Sequence, residues 1–176
     1  MKALSISLAG VALSLLFAQH CGAGQGVYAV QGPWLDERSQ VFALESLTGS
    51  YSVVTMAYGA CRRVCSSSLK IVRDVAELAA RRHVPLRILV VGLDPAEDKP
   101  ADWAAYRAER KLSFGNLDFL SGTPSSVRQL AQKIGEKYWR YGEHTMHDFR
   151  VVLISPEGRV VKAIDRFDQE ASELMP

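Results

Sequence analysis

Two stretches limit what this chain can fold into more than any others. Tyr51 to Tyr58 (YSVVTMAY) and Leu86 to Leu93 (LRILVVGL) are unbroken apolar and β-branched runs. A strand with one wet face alternates apolar and polar residues. A continuous run belongs to a strand covered on both faces, as in the centre of a parallel sheet. Between the two runs the period changes. Val64, Ile71, Val72, Val75, Leu78 and Ala79 recur at helical spacing, which predicts a helix over residues 64–82 before Pro85.

The alternation continues downstream. A polar loop from Asp94 to Pro100 leads to a second helix around residues 101–111, with Trp103 and Tyr106 on its apolar side. Residues 116–120 form a weak strand. A third helix spans 123–137, with Thr123 as N-cap and Pro124 at the first helical position. Residues 149–154 and 159–164 flank the turn Pro156-Glu157-Gly158 and read as a β-hairpin. A short strand at residues 41–44 precedes the first long one. Strand–helix alternation predicts an α/β fold with a mainly parallel central sheet, flanked by helices on both faces and ending in a β-hairpin. A cysteine pair directly after the first long strand, opening the first long helix, makes the expected architecture thioredoxin-like.

Length and composition agree with one globular domain: 176 residues, 48% hydrophobic and 23% charged, which excludes disordered and collagen-like classes. A net charge of +2 and the lack of any long Lys/Arg run give no footprint for nucleic acid.

The N-terminus has the order of a secretory signal. Lys2 is followed by an uncharged stretch from Ala3 to Ala18, then by the small residues around Cys21-Gly22-Ala23-Gly24. The apolar run is shorter than the ~20 residues that span a bilayer. Residues 1–23 are therefore expected to be a signal peptide, cut near Ala23, or else an uncleaved anchor. A lipid anchor on Cys21 is disfavoured by the bulky Gln19 and His20. Residues 24–40 are expected to be an N-terminal extension and 41–176 the domain. Loss of Lys2 with the signal leaves a net charge of +1. Export, to a bacterial periplasm or its inner-membrane face, allows a disulfide to persist. The membrane is a partner only if the leader is uncleaved.

The mature chain then keeps two cysteines, Cys61 and Cys65. At i and i+4 both sulfurs can face one ligand. A helix N-terminus and the adjacent Arg62 and Arg63 both lower thiol pKa values. Three chemistries compete for the pair: a structural disulfide closing a very small loop, a redox-active dithiol, and a soft-metal site for Cu(I) or Zn. The metal reading needs a further ligand. His20 leaves with the signal, and His83 suits a helix terminus. His144 and His147 precede the strand expected to run beside the cysteine loop, and either could supply a neutral imidazole.

Three motifs resemble the Sco (SenC) family. The first is Tyr58-Gly59-Ala60-Cys61-Arg62-Arg63-Val64-Cys65, against a family pattern of an aromatic-rich strand and then C-P-x-x-C-P. The second is Val91 to Pro100 (VGLDPAEDKP), which is similar to V-D-P-x-x-D-T-P. The third is His147 to Gly158, where His147 stands nine residues before Pro156, the family spacing to a D-P-[DE]-G turn; His144 does not have it. The resemblance covers residues 40–165. It implies Cys61, Cys65 and His147 as copper ligands, for Cu(I) as well as Cu(II), with Asp94 a candidate behind them or else a turn residue before Pro95. It implies a metallochaperone that delivers copper to the CuA site of cytochrome c oxidase, prepares that site, or handles periplasmic copper. The partners would be that oxidase subunit or another periplasmic copper protein, and a thiol reductant. The alternatives are a thiol-disulfide oxidoreductase in which Cys61 attacks and Cys65 resolves, and a copper- or redox-sensing module. Three positions depart from the pattern. Arg62 and Ser66 replace the prolines after the cysteines, and Met146 stands where Asp often precedes the histidine.

Overall fold

The computed structural model describes residues 26–60 and 64–176, with residues 64–66 as backbone only. Nine strands and three α-helices follow one another as β1 (Trp34–Asp36), β2 (Val41–Phe42), β3 (Tyr51–Ala57), α1 (Val64–Arg81), β4 (Leu86–Gly92), α2 (Pro100–Glu109), β5 (Leu117–Ser121), α3 (Pro124–Ile134), β6 (Tyr138–Tyr141), β7 (His144–His147), β8 (Val151–Ile154) and β9 (Val160–Ile164). The expected signal or anchor lies outside the described residues. Within them, no helix is long and apolar enough to cross a membrane.

Seven strands form one sheet in the order β2-β1-β5-β4-β3-β8-β9. Its centre, β5-β4-β3, is parallel, and the strands on either side are antiparallel. The sheet is thus mixed, with the parallel portion limited to the strands joined by helical crossovers. The steps from β3 to β4 and from β4 to β5 run in the same direction, so two right-handed crossovers put α1 and α2 on one face. Leu69, Val72, Val75, Ala76, Trp103 and Tyr106 pack there against Val53, Ile88, Val90 and Phe119. After β5 the chain must return past β3, and α3 makes that return over the other face. Val127, Leu130 and Ile134 cover Val54, Leu89, Val91 and Val152.

Local chemistry sets the ends of α3. The Thr123 hydroxyl accepts from the Ser126 N–H at 3.2 Å, the Ser126 hydroxyl accepts from the Thr123 N–H at 2.9 Å, and Pro124 opens the helix. Gly135, at φ 74°, closes it in the left-handed conformation.

Residues 26–40, the described part of the expected extension, are built into the domain. Val27, Tyr28, Val30 and Trp34 are buried in the α3-side layer. β1 pairs with β5, and Glu37 accepts from Arg107 at 2.8 Å and from the Phe119 N–H at 3.0 Å. The polar residues Gln31, Asp36, Glu37 and Arg38 mask the apolar ones, and a three-residue strand carries too little periodicity to read. If this segment belongs to the core, Trp34→Ala should lower the unfolding free energy in urea by about 3–5 kcal/mol. A loss near zero would show that the segment is only draped on the domain.

Candidate functional site

The loops that leave the C-terminal ends of β3 and β4 lie side by side. β3 leads into residues 58–63 and then α1, with Cys65 its second residue. Cys61, Arg62 and Arg63 lie outside the described residues, and Cys65 is described by its backbone alone.

Asp98 ties the two loops together. Its Oδ1 accepts from the Gly59 N–H at 2.9 Å and its Oδ2 from the Asp94 N–H at 2.8 Å. Its own carbonyl accepts from the Ser121 hydroxyl at 2.6 Å. One carboxylate thus holds the start of the cysteine loop against the end of β4. The neighbouring Tyr58 hydroxyl donates to Glu97 Oε2 at 2.6 Å, and that bond pushes the phenol up to about 12. Burial is the main influence on the Asp98 carboxyl, pushing it from 3.8 up to about 6 against the opposing pull of the Asp94 and Gly59 N–H groups.

Asp94 lies at the same end and faces the β6–β7 hairpin. Its Oδ2 accepts from Arg140 at 2.7 Å and from the Thr145 hydroxyl at 3.2 Å. The sequence pattern leaves residues 138–147 without an assigned element, and the structure makes them a hairpin. Tyr138 pairs with His147, Trp139 with Met146, Arg140 with Thr145 and Tyr141 with His144. Gly142, at φ 59°, takes the first central position of its two-residue turn, where a type II′ turn needs positive φ. The run Tyr138-Trp139-Arg140-Tyr141 before that glycine is the signal that could have found it.

The hairpin has two unlike faces. Trp139, Tyr141, His144 and Met146 are exposed, whereas Thr145 and His147 are buried. His147 thus sits on the inner face and His144 on the outer. Met146, beside His147 in sequence, points the opposite way because strand side chains alternate. His83 follows α1, exposed and at φ 52°, as its helix-terminus reading implied.

The His147 side chain is 2% exposed. Its Nδ1 lies 2.7 Å from the Asp148 carbonyl oxygen. A carbonyl can only accept, so Nδ1 carries a proton, and in the neutral ring the lone pair is on Nε2. Glu136 Oε1 lies 3.5 Å from the same Nδ1, on a side chain with no exposure. Burial raises the Glu136 carboxyl above its ordinary value, and His147 opposes the shift. Sequence reasoning singles out neither Glu136 nor Asp98 as a site residue. Asp98 stands inside the second motif; nothing in the local pattern marks Glu136.

The SCO1/SenC family model matches residues 25–175. The chain belongs to the SCO1/SenC family. Among relatives, the SCO1 homologue of Bacillus subtilis is 27% identical over 124 residues, 68% of this chain and 64% of that protein. The mitochondrial protein SCO2 of Saccharomyces cerevisiae is 25% identical over 85% of this chain and 52% of its own length. The chain thus spans less than two thirds of each of these relatives. Arabidopsis thaliana ScoI, solved with copper bound, superposes with a TM-score of 0.68 at 18% identity, over 80% of this chain and 89% of that one. Bradyrhizobium japonicum ScoI, also solved with copper bound, gives 0.67 at 20% identity, over 81% and 92%. These likenesses bear out the thioredoxin-like fold of the Sco domain. The match also begins at residue 25, so the Sco unit takes in the segment that carries Trp34.

The Asp98 carboxyl has a pH consequence. Its raised value means that the folded state disfavours the charged form, so folding gains stability as the pH falls through 6 toward 3.8. Asp98→Asn lacks this gain. Between pH 7.5 and pH 4, the stability of wild type relative to Asp98→Asn should rise by about 2 kcal/mol in denaturant titrations. A difference that stays constant over that range would refute the assignment.

Proposed function

We propose that this chain is an exported copper-binding protein of Sco type, in which Cys61 and Cys65 as thiolates and His147 through Nε2 hold one copper ion. What supports this reading above all is the register of β8 on β3. The antiparallel pairs run from Ser52↔Ile154 to Thr55↔Val151. Continued beyond β3, the same register carries the chain before β8 past Ala57 and Gly59, toward the cysteine loop. His147 therefore belongs to the end of the sheet from which Cys61 and Cys65 depart.

The chemistry of the donor set agrees. Two thiolates suit Cu(I), and a neutral imidazole with its lone pair on Nε2 extends the set to Cu(II). Among the described residues no three His, Cys, Asp or Glu side chains converge as a metal group, so the proposed site depends on the cysteine loop. Asp94 would act through the hairpin: by holding Arg140 and Thr145 it fixes the strand that carries His147. Solved relatives include copper-bound Sco proteins, and the solved protein BsSco is described as a member of the Sco family of cytochrome c oxidase assembly proteins. Copper delivery to a CuA site, or preparation of it, is the role we assign to this chain.

A site of two sulfurs and one nitrogen leaves copper open to an incoming ligand. A partner's thiolate can then bind before the chaperone's own ligands let go. Because the thiols lose protons as they bind, copper affinity should rise with pH until they are ionised.

Titration of the reduced protein with copper should give one ion per chain and, with Cu(II), a sulfur-to-metal charge-transfer band. His147→Ala should weaken Cu(II) binding by at least the ~10–100-fold that losing a hydrogen-bond partner behind a metal ligand typically brings. It should leave disulfide exchange at the cysteine pair intact. Unaltered copper affinity in that variant would remove His147 from the ligand set and favour a dithiol oxidoreductase.

A further inference from the structure

A buried carboxylate, Glu136, stands behind the histidine. It is the second residue after α3. Its N–H donates to the Ala131 carbonyl at 2.8 Å, and the Gly135 N–H donates to Gln132 at 3.3 Å. That is the Schellman closure of a helix, in which the position Glu136 occupies ordinarily presents an apolar side chain to the last turn. Here the position holds an acid, and its side chain is fully enclosed.

Neither carboxylate oxygen has a hydrogen-bond partner among the described residues. Arg150, whose charge acts on Glu136, is committed elsewhere: its Nε donates to the Ile134 carbonyl at 2.8 Å, and its Nη1 pairs with Asp165 at 3.2 Å. Asp148 adds a like charge nearby. Burying a carboxylate with only a long contact to an imidazole is costly. A residue that breaks the local rule at such a cost is expected at a functional site.

We propose that Glu136 is a positioning residue for His147: it backs the Nδ1–H of the imidazole from the side opposite copper, strengthens Nε2 as a donor, and so selectively stabilises the Cu(II) form. This rests on the copper reading above. With copper on Nε2 the arrangement would be a carboxylate–histidine–metal relay, and Oε1 lies 3.5 Å from Nδ1. The Asp148 carbonyl fixes the tautomer, and Glu136 adds a stronger acceptor to the same proton once metal on Nε2 makes Nδ1–H more acidic. Selectivity follows from the donor types. Thiolates hold soft Cu(I) whether or not the imidazole is a good donor, whereas Cu(II) draws on nitrogen.

Glu136→Gln keeps the size and removes the carboxylate. In the full chain with reduced cysteines, Cu(II) affinity should fall about tenfold, while Cu(I) affinity, measured by competition with a Cu(I) chelator, stays within about threefold. The copper reduction potential should accordingly rise by about 60 mV, the one-electron equivalent of a tenfold change. The copper-free variant should melt no lower than wild type, because the substitution removes an acid whose charged form burial disfavours. Equal losses for Cu(I) and Cu(II), or a lower melting temperature without a change in potential, would make Glu136 merely structural and overturn the proposal. So would unchanged affinities and potential. If wild type itself binds no copper, the Sco-type reading fails first and this inference falls with it.

Discussion

β3 is the constraint on which the remaining structure depends. It is hydrogen-bonded on both edges, to β4 in parallel and to β8 antiparallel. It is also covered on both faces, with Val53 and Ala57 toward α1 and Val54 and Met56 toward α3. A strand enclosed in this way cannot slip by one residue without exchanging the sets that face each layer. That rigidity fixes where the cysteine loop begins. It also fixes, through β8, where the chain carrying His147 arrives.

Around that fixed point polar groups tie the loops to one another. Asp98 accepts two backbone N–H groups from two different loops, and Asp94 joins the end of β4 to the hairpin. Buried acids are a costly way to hold loops. They are also directional: a carboxylate accepting two N–H bonds sets the separation of the loops it joins, whereas an apolar contact would tolerate sliding. For a site proposed to accept and release a metal, a rigid frame where the cysteine loop begins is a workable division of labour.

The two faces of the β6–β7 hairpin illustrate how unequal neighbouring residues can be. His144 and Met146 look outward, and Thr145 and His147 look inward. The motif spacing to Pro156 distinguishes His147 from His144, and burial gives the physical reason: this is the histidine whose ring is held in one orientation by the Asp148 carbonyl. Glu136 is invisible to such a pattern because nothing near it in sequence announces it. It lies eleven positions before His147, across a helix end and a hairpin turn, and becomes its neighbour only when α3 and β7 close on each other.

Sequence by itself determined the elements whose signals are local. The unbroken runs of β3 and β4 demanded burial on two faces, the Thr123-Pro124 start of α3 wrote its own cap, and the helical period of α1 followed directly on the cysteine pair. It also supplied the three motifs that carry the family resemblance. Tertiary structure alone decided that Trp34 and Glu37 belong to the core, that residues 138–147 form a two-stranded ribbon, and that Asp98 and Glu136 lie buried in contact with residues far along the chain. The difference is physical. Strand and helix periods arise from neighbours a few residues apart, whereas the burial of an acid, or of a short strand, is settled by which distant surfaces the sheet brings against it.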